Sequence, residues 1–179
     1  MSTRLVILGL LREKPLYGYE IKQIIEEHMN DWTSIAFGSI YFALNKLVQE
    51  NLIAKVATEK PGSRPSRSVF QITESGHQEF LRLLRSTWNN EERSYFNLDI
   101  GIFFMSALPL EEIKEYLHNR IANLQGMLKY LDVHKTEQMK DEHIPPVANA
   151  IFAHTLAHLK AELSWTQNLL QNIDQGGFV

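Results

Sequence analysis

The chain lacks cysteine, and this absence excludes several kinds of chemistry. Its 179 residues cannot form disulfides, thiolate metal sites or cysteine nucleophiles. It also lacks any uncharged apolar run near the roughly 20 residues that span a bilayer. The N-terminal stretch 1–15 is apolar but is followed by charges and has no small-residue cleavage pattern, so it predicts a first helix. We therefore expect a cytoplasmic protein with no membrane partner.

Sequence motifs of enzymes are missing as well. The chain contains no GxSxG, no P-loop, no GxGxxG and no HExxH. The pairs Glu91–Glu92 and Glu111–Glu112 are most simply solvated charges. His154, His158 and Glu162 recur at i, i+4 and i+8, but without a fourth ligand this spacing equally fits polar residues at the edge of a helix pair. We predict no enzyme activity, no cofactor and no metal.

Basic charge is scarce overall but unevenly distributed. Against 18 Lys and Arg the chain has 21 Asp and Glu, a net charge of −3, which argues at first against binding to phosphates. Residues 1–85 hold 11 basic and 9 acidic side chains, leaving 7 basic and 12 acidic for the rest. Such a division indicates two domains with different partners.

The first half predicts three helices, two strands and a fourth helix. Apolar spacing places the first three helices at about 5–13, 18–29 and 38–50. Strand-like runs at 52–59 and 68–73 enclose the loop KPGSRPSR, which is too rich in proline, serine and charge to join a core. Thr73 is the predicted N-cap of the fourth helix, 74–88.

The third helix has an apolar stripe, with Ile40, Leu44 and Leu47 as members, and a polar face opposite it. Groups on that face can bind base edges, stack on bases or reach phosphates. The candidate DNA-binding residues there are Ser39, Tyr41, Phe42, Asn45 and Lys46. The alternative is an ordinary solvated helix surface.

Three helices followed by a two-stranded ribbon with a basic tip are typical of a winged helix-turn-helix. In that fold one helix enters the major groove, and basic residues at the margins contact phosphates. The wing residues expected to do so are Lys60, Arg64 and Arg67, for which the alternative is a solvated loop.

The second half predicts a helical domain. The polar stretch 89–94 marks a boundary, which divides the chain into domains 1–88 and 89–179. A short helix at 98–107 precedes a long one at about 110–140, and a final helix follows Pro145–Pro146. Both long helices carry narrow apolar seams, including Leu170 in the last, so they can pair antiparallel and leave surface for a homodimer.

Three segments of the first half resemble the PadR family of bacterial transcriptional regulators. They are ILGLLREKPLYGYEIKQIIEE, GSIYFALNKLVQENLI and GSRPSRSVFQITESG, in that order. The second half is similar in layout to the family's C-terminal dimerisation domain. Phe42 and Asn51 stand where many relatives have proline and glycine.

The resemblance implies a homodimer that represses transcription and, in some members, releases DNA when small aromatic compounds bind. By matching motif, Ser39 and Tyr41 of GSIY and the wing residues Arg64 and Arg67 would face DNA. Aromatic and histidine side chains of the second half are candidates for the effector cavity, with ordinary core packing as the alternative. These candidates are Phe103, Phe104, Phe152, His154 and Trp165.

The expected fold is therefore mostly α, with an N-terminal winged helix-turn-helix and a C-terminal domain of long antiparallel helices. The expected function is that of a ligand-responsive repressor, binding a near-palindromic double-stranded DNA operator as a homodimer. The alternative from another class is a helical protein-interaction module that docks through its winged helix. A small-molecule binder with catalytic activity is a third class.

Overall fold

The computed structural model describes residues 3–59, 67–89, 95–140 and 146–177. The chain divides into two compact units, Met1–Glu92 and Arg93–Val179. No helix in the described ranges is long and apolar enough to cross a membrane.

Unit 1 contains four helices and a small sheet, as the mostly helical winged-helix prediction requires. The elements are α1 (Thr3–Leu11), β1 (Leu16–Tyr17), α2 (Gly18–His28), α3 (Phe37–Gln49), β2 (Ile53–Glu59), β3 (Arg67–Ile72) and α4 (Glu74–Trp88). Thr73 caps α4, since its side chain accepts a hydrogen bond from the Gly76 N–H at 3.0 Å. The predicted cap is confirmed.

The sheet has three strands rather than the two that the sequence predicts. Its order is β1–β3–β2, all antiparallel, with Leu16 opposite Phe70 and Ile53 opposite Ile72. The third strand, β1, is two residues long and therefore has no periodic pattern to recognise. The strands β2 and β3 form the wing. β1 connects the start of α2 to the base of this wing.

The core of unit 1 lies between the helices and the inner face of the sheet. Its buried side chains come from all the helices and strands of the unit: Ile7, Leu8, Leu11, Leu16, Ile21, Ile25, Ile40, Ala43, Leu44, Leu47, Ile53, Phe70 and Phe80. Burial of this many aliphatic side chains is the main stabilising term for so small a unit.

Unit 2 is a hairpin of two long helices preceded by a short one. The helices are α5 (Asn97–Phe103), α6 (Leu110–Gln138) and α7 (Val147–Asp174). The predicted short helix 98–107 is wrong in extent: α5 ends at Phe103, and Met105–Ala107 form a separate 3-10 turn. None of the α5 side chains is buried, so little packing energy holds a longer helix together.

The two long helices run antiparallel, as predicted. Lys114 pairs with Asp174 at 3.0 Å and Arg120 with Glu162 at 2.5 Å, so rising numbers on α6 meet falling numbers on α7. The predicted seam residue Leu170 packs half-buried against the cluster of Leu117, Leu169 and Ile173. The seam prediction missed Leu169, which is buried. Both leucines fit the helical period between Thr166 and Ile173, and contact with α6 decides between them.

Candidate nucleic-acid interface

Helix α3 presents two chemically distinct faces. Ile40, Leu44 and Leu47 are almost fully buried, as predicted. The opposite face is exposed to solvent and is called here the reader face. It carries four of the five residues predicted to meet DNA on this helix: Tyr41, Phe42, Asn45 and Lys46. Phe42 is 70% exposed, which is unusual for phenylalanine and is not explained by packing within the unit.

Ser39 lies at the first turn of α3 and is half-buried. Its hydroxyl donates a 2.6 Å hydrogen bond to the Ala36 carbonyl oxygen. The proton is therefore committed to the start of the helix, and the oxygen lone pairs remain available to accept. In the major groove, the donors that could use them are the amino groups of adenine and cytosine.

An aromatic cluster that the sequence interpretation missed extends the reader face toward α2. Phe37 is 54% exposed and meets Tyr41 edge to face at 5.0 Å between ring centroids. The Lys22 ammonium lies 5.0 Å from the Phe37 ring centroid, a cation–π arrangement. Lys22 also pairs with Glu26 at 3.4 Å. The signal in the sequence is Phe37 at i−4 from Tyr41, since such residues are neighbours on a helix.

The predicted basic wing is described in part. Strands β2 and β3 pair from Ile53 with Ile72 out to Glu59 with Arg67, so Arg67 opens β3. Lys60 and Arg64 lie outside the described residues. A register shift between Lys55 and Ala57 inserts Val56 as a bulge, which increases the local twist of the wing.

A groove of about 700 Å³ lies between α3, called here the reader helix, and the base of the wing; we call it the reader–wing groove. It is lined by Tyr17, Gly18, Tyr19, Tyr41, Asn45, Val48, Gln49, Lys55, Ser68 and Phe70. Gly18 sets its depth, because a Cβ atom there would lie 3.3 Å from the Tyr41 ring and 3.5 Å from Leu44. Tyr17 and Tyr19 stack at 5.6 Å between ring centroids.

The C-terminal end of the reader helix is anchored to α4. Asn51, directly after it, adopts the left-handed conformation with φ 58°, which asparagine tolerates better than most residues. Its carbonyl oxygen accepts hydrogen bonds from Thr73 at 2.8 Å and Ser75 at 2.9 Å. A Cβ atom at Gly76 would lie 1.9 Å from the Leu52 carbonyl oxygen, so glycine permits this close approach.

An ion-pair network connects α1, the end of α3 and α4. Arg4 of α1 pairs with Glu50 at 2.6 Å, next to the reader helix, and with Glu79 of α4 at 3.4 Å. Glu79 also accepts hydrogen bonds from Arg82 at 2.7 and 2.9 Å. Hydrogen bonding from Arg82 is the main reason why the pKa of the Glu79 carboxyl lies below its ordinary value, with Arg4 adding to the effect.

Unit 2 contains a separate cavity of about 520 Å³, called here the Arg120 cavity. Among the described residues it is lined by Tyr95, Phe96, Asn97, Leu98, Asp99, Arg120, Glu162 and Trp165. The Arg120 Nη2 pairs with Glu162, whereas its Nε is buried with no hydrogen-bond partner in the described part of the chain. Such an unpaired donor is costly unless a ligand or water satisfies it.

Of the five candidate effector residues, Trp165 lines the Arg120 cavity, and the other four lie elsewhere among the described residues. Phe103 and Phe104 are exposed and contact each other edge to face at 4.9 Å. Phe152 packs against His134, with ring centroids 5.9 Å apart, and His154 faces His158 with 3.2 Å between their Nε2 atoms. Glu162, the third residue of the His154, His158 and Glu162 spacing, pairs with Arg120.

Comparison with known proteins yields one family and close structural likenesses. The family model for the transcriptional regulator PadR-like family matches residues 7–82. The Negative transcriptional regulator PadR of Bacillus subtilis (strain 168) is 26% identical over 175 residues, which cover 94% of this chain and 96% of the relative.

Two solved structures of Bacillus subtilis PadR share the fold over nearly the whole chain. The complex with operator DNA has a TM-score of 0.77 and 24% identity, covering 95% of this chain and 98% of the other. The complex with p-coumaric acid has a TM-score of 0.76 and 24% identity, with coverage of 96% and 98%.

Proposed function

Because the chain belongs to the PadR-like family of transcriptional regulators, we propose that it is a homodimeric repressor that releases its DNA operator when a small aromatic compound binds. In this proposal the protein acts in the cytoplasm, where the operator lies, and is not an enzyme. Residues 1–88 bind DNA, and residues 89–179 dimerise and hold the effector.

The reader face is the observation that carries the DNA-binding part. It combines exposed aromatic rings with the amide of Asn45 and the ammonium of Lys46 on one side of a helix whose other side is buried. Asparagine can bind adenine bidentately, and lysine can reach guanine or a phosphate. The basic wing residues Lys60, Arg64 and Arg67 would hold the backbone beside it.

Unsatisfied apolar surface in unit 2 supports the homodimer. Phe103 and Phe104 are 79% and 61% exposed. On α6 the seam residues Ile113, Ile121 and Leu128 remain half-buried although α7 packs alongside. Exposed apolar surface of this kind is typical of a subunit interface. Two copies would place two reader helices on the half-sites of a near-palindromic operator.

The Arg120 cavity supports the ligand response. Trp165 and Phe96 offer aromatic surface, and the Arg120 Nε offers an unpaired donor, which suits a planar compound with an acceptor or acidic group. Residues 95–99 line the cavity directly after the stretch that joins the two units. A ligand there would bias the position of the DNA-binding unit by its differential affinity. The Bacillus subtilis complex makes p-coumaric acid the first compound to test.

The test is footprinting of the full chain on genomic fragments that include its own upstream region, at low salt. We expect a protected, near-palindromic site that p-coumaric acid or a related aromatic acid releases. Absence of any specific footprint would contradict repression by operator binding. The same experiment is repeated with Asn45→Ala and with the control Lys129→Ala of α6. Loss of the footprint by Asn45→Ala alone would assign base recognition to α3 rather than to general attraction between protein and DNA.

A further inference from the structure

The reader–wing groove lies between two elements that, under the proposed function, enter neighbouring grooves of the duplex. Its walls are formed by Asn45, Val48 and Gln49 of α3 on one side, and by Lys55 of β2 and Ser68 of β3 on the other. In a winged helix the reader helix enters the major groove, while the wing reaches toward the adjacent minor groove. One sugar–phosphate strand separates those two grooves of DNA.

That strand must cross the protein between α3 and the wing, where the reader–wing groove is located. We propose that this groove holds the sugar–phosphate strand of the operator and that Lys55 is its main phosphate contact. The inference rests on the proposed function and adds to it a residue outside both the reader face and the wing tip.

The lining of the groove has the chemistry that a nucleotide backbone requires. Lys55 is exposed and supplies the positive charge, and no ion pair neutralises it among the described residues. The Ser68 hydroxyl and the Gln49 amide can donate to phosphate oxygens. Val48 and Phe70 offer apolar surface to the sugars.

Local backbone geometry explains how Lys55 lines the groove. Strand β2 bulges at Val56, directly after Lys55, and Val56 itself is 51% exposed. A bulge of this kind re-aims the neighbouring side chain and twists the ribbon. Lys55 lies opposite Phe70 in the register, and both residues line the groove.

The experiment measures DNA binding by the full chain through fluorescence anisotropy over roughly 50–200 mM salt. Each protein is titrated against the footprinted operator and against a scrambled duplex of equal length. The variant is Lys55→Gln, which removes the charge and keeps most of the side-chain length. The matched control is Lys129→Gln, an exposed lysine of α6 that removes the same charge from unit 2.

We expect Lys55→Gln to lower the magnitude of the salt slope by about 1.8 and to weaken binding roughly 60-fold in 0.1 M salt, equally for both duplexes, because the dimer loses one phosphate contact from each protomer. Ser68→Ala should weaken binding with an unchanged salt slope, and Lys129→Gln should match the wild type. The inference is overturned if Lys55→Gln has the salt slope of the wild type, or if its loss of affinity is confined to the operator. In either case the proposed function stands as long as the wild type prefers the operator to the scrambled duplex. A wild-type chain that binds neither duplex overturns both.

Discussion

The hydroxyl of Thr73 donates a 2.8 Å hydrogen bond to the carbonyl oxygen of Asn51, across 22 residues of sequence. Thr73 caps α4, and Asn51 follows the reader helix in the left-handed conformation. The same hydroxyl oxygen accepts the Gly76 N–H at 3.0 Å. One side chain therefore hydrogen-bonds a backbone N–H at the start of α4 and a backbone carbonyl oxygen just after α3. These two bonds fix the end of the reader helix relative to α4.

Replacing Thr73 by valine should lower the free energy of unfolding by about 1 to 2 kcal/mol, because the cap and the bond to Asn51 are lost while the side-chain volume is kept. Urea denaturation of the full chain measures the change. Thr87→Val of the same helix is the control, since its hydroxyl bonds the Leu83 carbonyl within α4 and should matter by at most about 0.5 kcal/mol. Equal effects of both variants would refute the role of Thr73 as a link.

Gly76→Ala should be more damaging than loss of the cap. The added Cβ would lie 1.9 Å from the Leu52 carbonyl oxygen, so the α3–α4 connection must shift at a cost of roughly 2 to 3 kcal/mol. Thermal unfolding should show the lower midpoint. Gly38→Ala, whose Cβ meets no atom within 4 Å, should leave stability unchanged or raise it by at most about 1 kcal/mol. An unchanged midpoint for Gly76→Ala would disprove the close approach.

The reader face and the wing should respond differently to mutation. Asn45→Ala should alter preference among operator variants by about 1 to 3 kcal/mol at one base pair, because a base-edge contact is lost. Arg64→Ala and Arg67→Ala should instead weaken all duplexes alike, and each should reduce the salt slope by about 0.9 per protomer of the dimer. Binding to a set of single-substitution operators at two salt concentrations distinguishes the patterns. Identical sequence effects from all three variants would contradict this division of roles.

Arg120→Gln should weaken binding of p-coumaric acid at least tenfold, since Arg120 is the cation among the described residues that line the cavity. Glu162→Gln should keep or strengthen binding, because it releases Arg120 from its 2.5 Å ion pair. Calorimetric titration of the full chain gives both affinities, and operator release gives the functional result. If Arg120→Gln binds and responds like the wild type, the effector lies elsewhere.

The ion pair of Glu79 predicts a pH dependence of stability. The pKa of this carboxyl is lowered in the folded state, first by hydrogen bonding from Arg82, so the stabilisation is present above the unfolded pKa and is lost as pH falls through the folded pKa. Arg82→Gln should therefore reduce stability at pH 7 and lose this effect in acid. A carboxyl titration by NMR should show a higher Glu79 pKa in the variant; an unchanged pKa would exclude Arg82 as the cause.

Local sequence patterns were sufficient for most helices. The predicted 18–29 and 38–50 helices match Gly18–His28 and Phe37–Gln49 within about one residue, because amphipathic spacing and turn residues act within a few positions of the chain. The motif GSIY and the predicted cap at Thr73 were equally local, so the reader helix and the start of α4 could be read directly.

Contacts between residues that are distant in sequence could not be predicted from such local patterns. β1 has two residues, and it is a strand because β3 pairs with it. Tyr17 and Tyr19 join the reader–wing groove from one segment and Lys55 from another, and no local pattern places them beside Gln49. The candidate effector residues failed to converge for the same reason, since helical spacing shows a shared face but not the partner that covers it.

The amino-acid sequence by itself determined the helices, the wing, the reader face and the division of charge, since propensity and periodicity are properties of neighbouring residues. The tertiary structure decided which donors and cations share a cavity: Lys55 with the reader helix, and Arg120 with Trp165 and Phe96. Those juxtapositions depend on packing between elements distant in sequence, where steric fit selects one arrangement among several with equal local preference.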